Sequence, residues 1–239
     1  MFYRVKVIFY SDKPVILPIN YNHLLQSYIY NTLTPDLATF LHNEGFRVGK
    51  KVFKLFTFSK IFGRYKVDGK LISFSSPFYF YFSTPIQILM DDYVSENFKK
   101  EYVRIGNNRV DVQFVEFEEI PVKSYVVVKT ISPIAVYITE GSRRVYFSPN
   151  ETQFFEIILN NLRKKYYLVF GEEYKKNIEI LPHSGRWKKC ITKFKNTLIV
   201  GWEGKIVING DEKIVSLALT TGLGSKNSQG FGMVVEDKL

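Results

Sequence analysis

The sequence predicts an α+β protein made of two consecutive βαββαβ units, and three observations carry that prediction. Short runs rich in Val, Ile, Phe and Tyr alternate in polarity, apolar residues recur at helical spacing between them, and Gly or Pro marks many of the junctions. The order strand, helix, strand, strand, helix, strand is read once in residues 1–120 and again in residues 121–239.

In the first unit, residues 1–10 alternate as a strand. Residues 18–22 open a helix with Leu24, Leu25, Tyr28, Ile29 and Leu33 on one face. A second, short helix follows, with Thr34 at the N-cap, Pro35 in the first position and Gly45 just past the end. Residues 52–59 and 70–83 read as strands, the second containing the aromatic run FYFYFS. Thr84-Pro85 starts a helix with Ile86, Leu89, Met90, Tyr93 and Val94 as its stripe, and residues 104–118 return as a strand.

In the second unit, residues 121–131 are a strand, extended by 135–139 and 143–147 as a hairpin turning at Gly141. Ser148-Pro149-Asn150-Glu151 has the form of a capping box and opens a helix to Lys165, with Phe154, Phe155, Ile158 and Leu162 inward. Residues 178–181 and 195–208 supply strands. Asp211 caps a helix carrying Ile214, Val215, Ala218 and Leu219, Gly222 stops it, and residues 233–236 close the unit. Each unit is the ferredoxin-like arrangement. The halves share element order but no visible sequence repeat.

Composition narrows the function. With 46% hydrophobic and 16% aromatic residues, 239 residues can bury a substantial core. No run reaches the ~18 apolar residues that a membrane-crossing helix needs, and the opening MFYRVKVIFY is too short and too alternating for a signal peptide. A single Cys190 excludes a disulfide framework and fits a reducing cytoplasm. The excess of 33 Lys+Arg over 23 Asp+Glu, a net charge of +10, favours a polyanionic partner. Its three histidines, His23, His42 and His183, are scattered, with no zinc spacing and no carboxylate cluster, so neither metal nor cofactor is expected.

The stretch TGLGSKNSQGFG, residues 221–232, holds four of the fifteen glycines. It is not a dinucleotide fingerprint: the third position is Asn227, and the loop runs from helix to strand when the fingerprint runs from strand to helix. No G-x-x-x-x-G-K-[ST] occurs in the chain. A loop with glycines at both ends and Lys226-Asn227-Ser228 between them offers backbone donors and a cation to an anionic backbone. Arg186, Lys188 and Lys189 flank Trp187, a mixture of cations and stacking surface suited to single-stranded RNA.

The doubled G-hydrophobic-G before the last strand resembles the C-terminal glycine-rich loop of the RAMP superfamily of CRISPR-associated RNA-binding proteins. YNHLLQSYIYNTL (21–33), LATFLHNEGF (37–46), KLFTFS (54–59), SPIAV (132–136) and GLGSKNSQGFGMV (222–234) agree in order. Together they make the chain similar to the sixth CRISPR-associated family, endoribonucleases that cut repeat RNA into guides. The resemblance implies a pair of ferredoxin-like domains and CRISPR repeat RNA, the precursor crRNA, as partner. For relatives in effector complexes it also implies other CRISPR proteins. It further implies cleavage without metal, by attack of the neighbouring 2′-hydroxyl, leaving a 5′-hydroxyl and a 2′,3′-cyclic or 3′-phosphate. Carried over by position, the family's Tyr–His–Lys set falls on Tyr30, His42 and Lys54, with Lys50 and Lys51 as rivals for the lysine. Tyr30 lies about 150° from the centre of its helix's apolar stripe, so the core does not require it. His42 lies near a helix C-terminus, where the dipole favours a charged imidazole, and is expected to give or take a proton. Which of Tyr30 and His42 is acid and which base is left open. Gly222, Gly224, Lys226, Asn227, Gly230 and Gly232, with the Arg186–Lys189 segment, are expected to hold RNA and not to cut it. A non-catalytic repeat-RNA-binding relative and a general single-stranded RNA module are the alternative readings.

Overall fold

The computed structural model describes residues 2–238, apart from the side chain of Phe114. The chain runs β1 (Tyr3–Tyr10), β2 (Val15–Pro18), α1 (Asn22–Thr32), α2 (Pro35–Thr39), a π-helical turn (Phe40–Glu44), β3 (Phe46–Val48), β4 (Lys51–Phe53), β5 (Thr57–Phe58), β6 (Phe62–Asp68) and β7 (Leu71–Ser83). Then come α3 (Gln87–Phe98), β8 (Val103–Ile105), β9 (Asn108–Glu119), β10 (Tyr125–Thr130), β11 (Tyr137–Glu140), β12 (Arg143–Tyr146) and α4 (Thr152–Phe170). The chain ends with β13 (Glu179–Pro182), β14 (Lys188–Phe194), β15 (Thr197–Glu203), β16 (Lys205–Asn209), α5 (Glu212–Thr221), a 3₁₀ turn (Asn227–Gln229) and β17 (Val234–Glu236).

Two antiparallel sheets organise these elements. The first has the order β2-β7-β1-β9-β8, with β5 and β6 also paired to β7, and the second has the order β13-β16-β10-β17. In both, the first and third long strands of the unit lie side by side at the centre, which is the ferredoxin-like order. Period-2 alternation explains β7: Phe78, Phe80 and Phe82 are fully buried, while Tyr79 and Tyr81 take the other face and stay part-exposed. One core gathers β1, α1, β7 and α3; a second gathers β10, α4, β16 and α5.

Several elements differ from expectation for local reasons. β6 was not anticipated because nearly all its residues are exposed, so no buried face marks it. The strand expected over 195–208 is two strands, β15 and β16, broken at Gly204, where a Cβ would sit 2.5 Å from the Trp187 ring. Lys195 has φ +52 and makes the tight turn from β14 into β15. Half of the expected capping box forms: Ser148 N donates to Glu151 Oε2 at 2.6 Å, and the helix begins at Thr152. It continues past Lys165 to Phe170, where Gly171 closes it at φ +74. Asp211 caps α5 as expected, with Oδ1 accepting from Ile214 N at 3.0 Å.

Candidate RNA-cleaving site

Local chemistry places Tyr30, His42 and Lys54 together. α1 buries Leu25, Tyr28, Ile29 and Thr32, leaving Tyr30 on its flank. Expected at a position the core does not require, Tyr30 is half-buried and packs against the edge of the N-terminal core, its ring edge-on to buried Phe56 at 5.9 Å. Its other neighbour is the His42 ring, 6.3 Å away and nearly perpendicular. Burial pushes the Tyr30 phenol up to about 12, so it stays neutral near pH 7.

His42 is exposed in the π-helical turn that ends at Gly45. Its Nδ1 lies 2.9 Å from Asn43 Oδ1. An amide oxygen only accepts, so the contact is a hydrogen bond when Nδ1 carries a proton. Lys54 Nζ donates to His42 O at 3.1 Å. The lysine crosses Gly45 closely: a Cβ at Gly45 would meet Lys54 Cδ at 3.0 Å and Phe53 O at 2.8 Å, and its φ is +64. Glycine there both ends the turn and admits the lysine. Burial, then the neighbouring Arg47, lowers the Lys54 ammonium below its usual value. Of its two rivals, Lys50 is exposed in the β3–β4 turn and Lys51 donates to Asn161 Oδ1 at 3.0 Å.

The other histidines are elsewhere. His23 Nδ1 lies 3.0 Å from Asn20 O and its ring meets Phe194 edge-on at 6.3 Å. His183 lies against Ser184.

Lys54 and Asn43 line one wall of a cavity of about 920 Å³ between the two units. Lys51, Lys54, Lys164, Lys165 and Lys226 all line it, and among the described residues no Asp or Glu does. The sequence ends this helix at Lys165; because α4 runs on to Phe170, Lys164 and Lys165 lie inside the helix instead. Lys165 occupies the same buried stripe as Ile158 and Leu162. A lysine at a core-facing position was the signal available in the sequence.

The glycine-rich loop forms the opposite wall, and it is less open than expected. Gly222, Gly224, Gly230 and Gly232 are buried, all with positive φ. The N–H groups of Gly222, Leu223, Ser225, Gln229, Gly230 and Gly232 are already bonded to backbone carbonyls. Asn227 also turns inward: Nδ2 donates to Leu223 O at 2.9 Å and Phe231 O at 3.0 Å, and Oδ1 accepts from Lys165 at 2.7 Å. Gly222, Gly230 and Gly232 therefore serve the close packing of the loop and are not free donors. Lys226 remains on the cavity side, half-buried, over the Tyr137 ring at 5.6 Å; burial and Arg144 bring its ammonium down to about 8.

Trp187 is likewise only partly available for stacking. It lies over Gly204 and edge-on to Phe154 at 5.9 Å, while Arg186, Lys188 and Lys189 are exposed around it.

Comparison with known proteins gives the family. Residues 16–116 match the family described as CRISPR-associated protein Cas6, N-terminal, and residues 117–236 match CRISPR associated protein Cas6, C-terminal. The CRISPR-associated endoribonuclease Cas6 1 of Methanocaldococcus jannaschii is 31% identical, with 98% of this chain and 94% of that protein aligned. The CRISPR-associated endoribonuclease Cas6 of Pyrococcus furiosus is 27% identical over 94% of this chain and 85% of its own length. A solved structure described as CRISPR associated protein Cas6 superposes over the whole of both chains with a TM-score of 0.83 at 27% identity. With both halves matched in order and a ferredoxin-like pair beneath them, the chain belongs to the Cas6 family.

Proposed function

We propose that this chain is a CRISPR-associated endoribonuclease that binds repeat RNA in the lysine-lined cavity and cuts it once at the Tyr30–His42–Lys54 cluster. The observation that carries the reading is the Tyr30–His42 ring contact, with Lys54 bonded to the His42 main chain, beside a cavity lined by five lysines and, among the described residues, no carboxylate. Residues 1–120 would form the catalytic domain and residues 121–239 the domain that completes the RNA surface.

The nucleotide's own 2′-hydroxyl attacks the adjacent phosphorus and the bond to the 5′-oxygen breaks. The products are a 2′,3′-cyclic phosphate and a 5′-hydroxyl. One proton leaves the 2′-oxygen and one must reach the 5′-oxygen. His42 Nε2 is the site of proton exchange, because Nδ1 is held by Asn43. Tyr30, kept neutral by burial, serves as a donor toward phosphate or leaving oxygen and is a poor base. Lys54 places its ammonium beside the charge that builds on the phosphorane oxygens.

The test is incubation of the pure protein with repeat RNA in EDTA. A single cut is expected, lost when the nucleotide 5′ of the break carries a 2′-deoxy sugar. Tight binding without cutting would reduce the chain to an RNA-binding relative. A cut that survives the 2′-deoxy substitution would remove the mechanism.

A further inference from the structure

Three residues of α1 follow one another at four-residue steps: Asn22, Gln26 and Tyr30. Each step turns the side chain by only about 40° around the helix, so they form one gently curving row. Tyr30 meets His42. The other two are used by the opposite domain. Gln26 Nε2 donates to Ser228 O at 2.6 Å, and Asn22 Nδ2 donates to Gln229 O and Gly230 O, both at 3.2 Å.

Those carbonyls belong to the turn at the tip of the glycine-rich loop. The loop is itself fixed: Lys165 Nζ donates to Thr221 O at 3.2 Å, Gly222 O at 2.7 Å and Asn227 Oδ1 at 2.7 Å. The contact with α1 is close enough to dictate residue type. A Cβ at Gly230 would come within 2.7 Å of Asn22 Nδ2 and 2.6 Å of Phe58 Cε2.

We propose that Asn22 and Gln26 are positioning residues for RNA cleavage: they fasten the helix bearing Tyr30 to the loop bearing Lys226. The proton-handling groups of one domain and the cations of the other are thereby presented to the same phosphate. This rests on the assignment of Tyr30 and His42 to the reaction. These α1–loop bonds then act on the rate of cutting bound RNA, because small displacements of reacting groups cost rate before they cost affinity.

The experiment is single-turnover cleavage of repeat RNA at saturating protein, beside a binding measurement with uncleavable 2′-deoxy RNA. Gln26→Met and Asn22→Leu keep side-chain bulk and charge but remove the donors. Gln26→Lys keeps a donor of similar reach. Gln26→Met and Asn22→Leu should each cut bound RNA about tenfold more slowly, with Kd changed less than about threefold. Gln26→Lys should recover most of the rate. A Gln26→Met protein that cuts bound RNA at the wild-type rate overturns the inference. So does one that loses affinity alone, or one whose lower melting temperature accompanies a slow rate that Gln26→Lys does not restore. His42→Ala separates the two readings. If it is inactive while Gln26→Met is normal, only the positioning role falls; if it is active, the site assignment falls.

Discussion

Beside the N-terminal wall of the cavity, which Lys54 lines, Tyr30, His42 and Lys54 are joined by a ring-edge contact and a single hydrogen bond to a backbone oxygen. On the C-terminal wall, Lys165, Asn227 and the glycine backbone are hydrogen-bonded to one another. The first wall is held by few such bonds. The second spends many of its polar atoms on holding a shape, with Lys164, Lys165 and Lys226 as its cations along the cavity. Substitutions on the first wall should therefore change rate, and those on the second should change stability before anything else.

The sharpest break between the walls is His42→Ala. Loss of a proton-exchange group lowers cleavage by about 10² to 10⁴-fold, and an exposed side chain should leave stability within about 0.5 kcal/mol. Single-turnover rates and thermal melts measure both. Gly232→Ala should show the reverse. Its Cβ would fall 1.9 Å from Leu223 O at φ +76, so a loss on the order of 2–4 kcal/mol in unfolding free energy is expected. Near-wild-type stability in denaturant melts would mean the loop is more pliable than its packing indicates.

Lys165 sharpens the comparison through pH. Burial draws its ammonium from 10.5 down to about 7. Below about 7 the amine is protonated in folded and unfolded chains alike, and its burial penalty is fully present. Between about 7 and 10.5 the unfolded chain holds the proton and the folded chain does not, so this residue makes stability rise with pH. Lys165→Met should flatten that rise while lowering stability by roughly 1–3 kcal/mol, because three acceptors lose their donor. Melts at pH 6.5, 8 and 9.5 (about those values) decide it, and an unchanged slope would show that another group titrates.

The smallest effect belongs to Lys226, charged below about 8 and neutral above it in the free protein. Lys226→Met should weaken RNA binding severalfold at neutral pH and reduce the salt dependence by about one phosphate contact. It should also blunt the fall in affinity as pH rises through 8. Equal salt slopes for the two proteins would take Lys226 out of the RNA contact.

The sequence carried the chemistry of the first wall further than that of the second. His42 and Lys54 flank the turn that brings them together, separated by the short hairpin β3–β4, so spacing alone keeps them near each other. Lys165 and Asn227 come from distant parts of the chain; helical spacing sets Lys165 on the stripe of Ile158 and Leu162, but nothing local says which group it meets there. Trp187 was legible as an aromatic among cations, but Gly204, which admits its ring, is seventeen positions away in sequence.

Alternation, helical spacing and turn residues determined two ferredoxin-like units by themselves, because those signals act over a few residues and each unit closes its own core. Motif order then identified the family. What only the tertiary structure decided is how the units meet: which lysines face one cavity, which glycines are buried against a neighbour, and which loop fastens α1. Those outcomes depend on close approach between segments up to about two hundred residues apart, such as Asn22 and Gly230, and sequence periodicity carries no information about such distances.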